Sequence, residues 1–226
     1  MSKLLDLKTK IESIPDKQRR KNLVGKLSQY GRLTAVASET LVKCNEAQHY
    51  AREVFTDDDF QKTSEHIKRA VTTATRLRSK LDNKVEAIET SDDKFTIIKE
   101  AAVNASSALK DRWNLLLTKK LQDLEPLVRV AKESSLRGSQ KLEQTLNKLR
   151  GQANNPPTSS DTAASVTQDL ETLFDSVNNL GLQGAVGKFL IEAKDGKGRA
   201  QDLSDPEVKQ FIDRHNLWNL LNVKLG

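Results

Sequence analysis

From Asp16 to Phe55 no proline interrupts the chain, and its apolar residues keep one rhythm. Leu23, Leu27, Tyr30, Ala37, Leu41, Cys44, Ala51 and Phe55 fall on a lattice of alternating steps of four and three, with Thr34 and Gln48 at its weak positions. Steps of that size return to one face of an α-helix, whereas a strand needs alternation by two. Gly25 and Gly31 each cost about 1 kcal/mol relative to Ala in such a helix, so they are read as permitting close helix packing. Ahead of it, Leu4, Leu7, Ile11 and Ile14 mark a short first helix. Ile14 precedes Pro15, which disfavours the helical region there and should bend the chain. Ser13 is the expected cap of the long helix, with Pro15 in its first turn, and Asp16 is expected to pair with Arg20 four residues on.

Two further runs repeat the rhythm. Phe60, Ser64, Ile67, Val71, Ala74, Leu81, Val85 and Ile88 form the second, with Leu77 beside the slot held by Arg78. Phe95, Ile98, Ala102, Ala105, Leu109, Trp113, Leu116 and Leu124 form the third, up to Pro126, which should break or kink it. A continuation passes through Val130, Leu136, Leu142, Leu146 and Leu149. The acidic turns around Asp57-Asp58-Asp59 and Asp92-Asp93 join the runs and suit helix starts, where carboxylates meet unpaired N–H groups. At 1.5 Å per residue, spans 16–55 and 57–90 predict rods of roughly 50–60 Å. The expectation is an all-α fold: an elongated antiparallel bundle of three or four long helices, coiled-coil-like, over 1–150, followed by a small C-terminal helical module.

GQANNPPTSSDTA (151–163) has the composition of a flexible linker. The module, 164–226, opens with the amphipathic VTQDLETLFDSVNNL, is loosened by Gly181, Gly184 and Gly187, and passes a mobile loop at Lys194–Arg199 before a last helix with an apolar end.

Apolar residues make up 36% of the chain, charged residues 30% and aromatics 4%, which favours helices with narrow stripes that need partner helices. The single Cys44 excludes an internal disulfide framework and a cysteine-rich zinc site. No apolar stretch suits a signal peptide or a membrane span, so a cytoplasmic location without membrane contact is expected. Net charge is +6 and uneven: residues 1–55 carry 11 Lys/Arg against 6 Asp/Glu, 56–90 balance, 91–150 carry 12 against 8, and 151–226 carry 7 against 10.

No reactive constellation stands out, and no cofactor, metal or catalytic residue is expected. GLQGAVGKF misses a phosphate-binding loop, because Leu182 stands at the first glycine position and Phe189 replaces the hydroxyl. The acidic clusters lack ligand spacing. His49 and His66 flank the turn near residue 56 and would need a third ligand, and His215 is isolated. Cys44 sits in the lattice as an inert thiol.

Two surfaces carry functional weight. The opening cluster Lys17, Arg19, Arg20, Lys21 and Lys26 is a candidate contact for phosphate or an acidic partner, continued by Lys68-Arg69, Arg76, Arg78, Lys80 and Lys119-Lys120. The apolar tail, with Leu217, Trp218, Leu220, Leu221 and Val223, is a candidate docking segment for a groove on a partner. Together these predict a non-enzymatic scaffold or adaptor subunit that mediates protein–protein interaction in a larger cytoplasmic complex, with self-association through its helices a further route. The alternative is a nucleic-acid-associated protein that binds the phosphate backbone through the basic face of residues 17–80. No small-molecule substrate is indicated.

Overall fold

The computed structural model describes the backbone of residues 2–56 and 60–218 and the side chains from Leu7 onward. The expected acidic cap at Asp57-Asp58-Asp59 and the tail residues Leu220, Leu221 and Val223 lie outside the described residues. Among the described residues the chain is all-α, with no β-strand. The helices are α1 (Ser2–Glu12), α2 (Lys17–Val54), α3 (Gln61–Asn83), α4 (Asp92–Gln122), α5 (Glu125–Glu133), α6 (Ser139–Gln152), α7 (Ser160–Asn179), α8 (Gly184–Lys194) and α9 (Pro206–His215), with short 3₁₀ helices at Val85–Thr90 and Ala200–Ser204. The chain divides into two compact units, Met1–Arg112 with Pro156–Ser159, and Trp113–Asn155 with Ser160–Gly226.

In the first unit, α2 buries Leu23, Tyr30, Ala37, Cys44 and Ala51 at seven-residue spacing, with Ala47 and Gln48 beside the last two. The alternate lattice positions Leu27 and Leu41 are only partly covered. Tyr30 stacks on Phe95 with ring centroids 3.7 Å apart, and around this pair gather Ile11, Leu77, Leu81, Val85, Ile88 and Ile98. The entry to α2 differs from the sequence expectation. Asp16, not Ser13, is the cap: its carboxylate accepts from the N–H groups of Gln18 (2.8 Å) and Arg19 (3.0 Å). One oxygen thus satisfies two donors that helix geometry leaves unpaired, and such a cap stabilises by about 1 kcal/mol. Ser13 Oγ instead donates to Lys10 O at the end of α1. With Asp16 so engaged, Arg20 donates to Glu12 O, not to Asp16.

The second run does not remain α-helical to residue 90. α3 ends at Asn83, Lys84 is extended, and Val85–Thr90 is a 3₁₀ helix. Val85 and Ile88 stay buried through the change, because a separation of three suits one face of a 3₁₀ helix as well as of an α-helix. Asp92 and Asp93 occupy the first turn of α4, where carboxylates suit the helix dipole.

In the second unit, Pro126 breaks the third run. α4 stops at Gln122, and Pro126 falls in the first turn of α5, where its missing N–H costs nothing. The fourth run is likewise two helices, split at residues 134–138. α5 ends with Ser135 in the left-handed region (φ 51°), Ser135 N–H donating to Lys132 O and Leu136 N–H to Ala131 O. The same paired closure, a Schellman motif, ends α7 at Gly181, α8 at Gly196 and α9 at Asn216. Lys194 ends α8 and residues 195–199 form a loop at the expected place, held to the helix end by the N–H groups of Lys197 and Gly198, both on Glu192 O.

Gly151 and Gln152 belong to α6, and Ser160–Ala163 to α7, which leaves Ala153–Ser159 as the connection between them. Helices α7 and α8 pack on α6 and α5 respectively. Ion pairs tie the same neighbours: Lys148 to Asp169 (2.7 Å) and Lys194 to Glu133 (3.0 Å). The core of this unit includes Trp113, Leu117, Leu121, Leu149, Leu173, Leu182 and Ile212, all fully buried.

Candidate functional site

The basic cluster at the start of α2 is largely satisfied from within. Arg19 lies on Glu89 with two parallel bonds, Nε to Oε1 at 2.9 Å and Nη2 to Oε2 at 3.1 Å. Glu89 raises the Arg19 guanidinium above its ordinary value, and the hydrogen bond from Arg19 holds the Glu89 carboxyl below the usual range. Lys26 donates to Glu89 O and to Asp92 Oδ2. Arg20 is on Glu12 O. Only Lys17 and Lys21 of the five have no partner among the described residues.

The 3₁₀ helix directs this neutralisation. With three residues per turn, side chains three apart eclipse one another and the helix has three faces. Val85 and Ile88 fill the core. Glu89 meets Arg19, and the charge of Glu86 also acts on it. Ala87 and Thr90 line a groove of about 610 Å³ against α3. The acids thus turn toward α2 and away from α3.

On its other wall that groove carries Lys68, Arg69, Arg76 and Lys80 of α3, with Thr72 and Thr73 between them. None of these four cations has a carboxylate or carbonyl partner among the described residues, and all four are exposed. α3 holds six Lys/Arg against two Asp/Glu. Of the acids near the groove, Glu65 accepts from Gln61 Nε2, while Asp93 pairs with Lys94, which lines the start of α4. The excess of cations over acids within 61–83 was readable in the sequence. That Glu86 and Glu89 face elsewhere was not.

A second groove is apolar. Leu27, Tyr30, Leu77, Leu81, Ile88 and Phe95 line a space of about 660 Å³ between α2, α3 and α4. Leu41, Val42, Ile67, Ala70 and Val71 line one of about 520 Å³ further along the same helices. Thr34, Ala74, Arg78 and Ile98 border both, so the two are continuous. Gly25 and Gly31 support no close packing here: a methyl group at either would meet nothing within 4 Å.

The remaining candidates are structural. Cys44 is buried, and burial pushes its thiol up, opposed by a hydrogen bond with Ser106 and the charge of Lys110. His49 is exposed, with Nε2 3.5 Å from Glu53 in the next turn. Gly187 is a packing glycine: a Cβ there would strike Leu182 O and come within 2.7 Å of Leu127 Cδ2. Among the described residues no group of three or more His, Cys, Asp or Glu could hold a metal ion, and no helix is long and apolar enough to cross a membrane.

Of the described tail residues, Leu217 is in the core at 2% exposure and so offers no anchor, while Trp218 is 43% exposed and donates its indole N–H to Asp213 Oδ1 at 2.7 Å. Nearby, His215 lies over Phe211 with ring centroids 4.5 Å apart. Burial, with the neighbouring Arg214 charge, lowers the His215 pKa below its ordinary 6.5. A lowered folded value means that protonation favours the unfolded chain, so this contribution is present above about pH 6.5 and is lost as pH falls through the folded value. The thermal-midpoint advantage of the natural protein over His215→Gln is therefore expected to shrink from pH 7 to pH 5. A constant difference over that range would show that the imidazole does not titrate against folding.

Comparison with protein-family models, with curated proteins and with solved structures finds no match to this chain.

Proposed function

We propose that this chain is a non-enzymatic helical scaffold or adaptor subunit of a cytoplasmic complex, and that its docking site is the apolar groove along α2 and α3. In this reading α2, α3 and α4 act as an antiparallel, coiled-coil-like set of long helices that leaves one seam open. The carrying observation is the continuity of that seam, whose α2 wall runs from Leu27 to Glu46. At 1.5 Å per residue this is about 28 Å, room for a helix of about five turns. The occupant is a partner's amphipathic helix, the kind of segment that lays an apolar stripe into such a groove. Arg78 borders both halves of the seam and has no partner among the described residues. It selects a partner helix with an acidic residue near its middle.

The test places a photo-crosslinking residue at Ala74, which borders both halves and is exposed. The captured segment is then synthesised and its binding to the purified chain is measured. A segment of about five turns is expected, gaining helicity when bound and losing at least about tenfold in affinity against Val71→Asp, a rim substitution at an exposed residue. An extended captured segment, capture of a second copy of this chain, or binding indifferent to Val71→Asp would sink the proposal.

A further inference from the structure

We infer that the groove between α3, the 3₁₀ helix Val85–Thr90 and the start of α4 is a binding site for a nucleic-acid phosphate backbone, engaged without regard to base sequence. It is distinct from the apolar seam and from the Lys17–Lys26 cluster. Four cations of one helix, Lys68, Arg69, Arg76 and Lys80, border a single concavity of about 610 Å³. Several cations elsewhere in this unit are answered, Arg19 by Glu89, Lys26 by Asp92, Lys43 by Glu39, and Lys10 and Arg20 by backbone carbonyls, while Lys17, Lys21 and Arg78 stand apart from this groove. The α3 set is left unanswered because the two acids of the facing 3₁₀ helix act on Arg19 on its far side.

Helix stability explains only part of the arrangement: Lys80 lies in the last turn of α3, where the dipole favours a cation, and Glu65 stands one turn before Arg69. Arg76 and Lys80 are like charges one turn apart, a spacing that disfavours a helix. Lys68 and Arg69 lie too far from the C-terminus of α3 to gain from its dipole, which acts within about one turn.

The spacing identifies the ligand class. Arg69 to Lys80 spans eleven residues, about 16 Å of helix, which suits a repeating anion and exceeds the reach of one phosphate group. Thr72 and Thr73, between the cations, and Thr90 on the facing wall line the same groove. Their hydroxyls are the side chains that, with Lys and Arg, position a sugar–phosphate backbone. No aromatic ring lines the groove, so it has no stacking platform for bases. Its concavity and lack of exposed large apolar rim residues fit a strand better than a flat lipid surface.

The experiment is a fluorescence-anisotropy titration of the full chain with mixed-sequence oligonucleotides, duplex and single-stranded, between about 50 and 200 mM salt. Binding is expected to fall with salt with a log–log slope of about −2 to −4, as for three or four neutralised phosphates. Arg69→Gln/Arg76→Gln/Lys80→Gln should flatten that slope by about 2 and weaken binding at least about tenfold at the lowest salt. Lys17→Gln/Lys21→Gln should leave both values unchanged, and circular dichroism should show all three proteins equally helical. Absence of binding at low salt, a slope unmoved by the triple substitution, or an equal loss in the Lys17/Lys21 variant each overturns the inference. So does tighter binding to vesicles containing phosphatidylinositol bisphosphate than to either oligonucleotide.

Discussion

Trp113→Ala is expected to cost the second unit about 3–5 kcal/mol, the range for removing a buried aromatic. Trp113 is fully buried, and its indole Nε1–H donates to Gln152 O at 2.8 Å. That carbonyl lies at the end of α6 and also accepts the N–H of Asn155 at 3.0 Å, so the indole is its second donor. The indole therefore fills the core and closes a helix end at once. The next residue repeats the grip, Asn114 Nδ2 donating to Asn154 Oδ1 at 2.9 Å. Trp113→Phe separates the two roles. It retains most of the apolar contact and removes one of two donors to the carbonyl, which keeps Asn155 N–H, for an expected loss of about 0.5–1.5 kcal/mol. Denaturant unfolding followed by circular dichroism gives both values, with Trp218 remaining as a fluorescent reporter. A Phe variant as stable as the natural protein would show that the hydrogen bond contributes nothing. An Ala variant losing less than about 1 kcal/mol would show that the site collapses around the truncation.

Gly187→Ala is the second large effect. Its backbone is not in the left-handed region, so the obstacle is space and not conformation. The added methyl would meet Leu182 O, part of the backbone that closes α7, and Leu127 of α5 on the other side. Backbone cannot rotate aside as a side chain does, so α8 must shift. The expected loss is about 3 kcal/mol, at the upper end of ordinary overpacking. Gly25→Ala is the matched control. It lies inside α2 with nothing near the new methyl, and helix propensity alone should raise stability by about 0.5–1 kcal/mol. Thermal unfolding of the two variants should move in opposite directions. A destabilised Gly25→Ala or an unperturbed Gly187→Ala would contradict this account of the glycines.

The two glycines also mark what sequence alone could supply. In the string, Gly25 and Gly187 are equivalent helix interruptions, and only the neighbours brought up by folding tell them apart. The buried heptad Leu23, Tyr30, Ala37, Cys44 and Ala51 was legible, because its seven-residue spacing is local and insensitive to context. The break at Lys84 was hidden because Leu81, Val85 and Ile88 fit an α-helical stripe and remain buried after the geometry changes. The ending of α5 was hidden differently: Ser135 adopts a left-handed conformation that usually announces itself as glycine. For the charged surface the obstacle was distance along the chain. Arg19 and Lys26 find Glu89 and Asp92 some 70 and 66 residues away. The sequence expectation runs the basic face from Lys17 to Lys80, and within it three-dimensional pairing engages Arg19, Arg20 and Lys26 while Lys68, Arg69, Arg76 and Lys80 have no partner among the described residues.

The three-faced 3₁₀ helix also sets how this chain can tolerate changes in length. One residue added or removed within Val85–Thr90 turns every following side chain by about 120°. Such a slip would move the acids now beside Arg19 into either the core or the α3 groove, and no substitution downstream could restore all three faces together. Point changes at Ala87 or Thr90 touch one surface at a time. Across relatives of this chain, substitutions in the segment should therefore be common beside a length that stays at six residues.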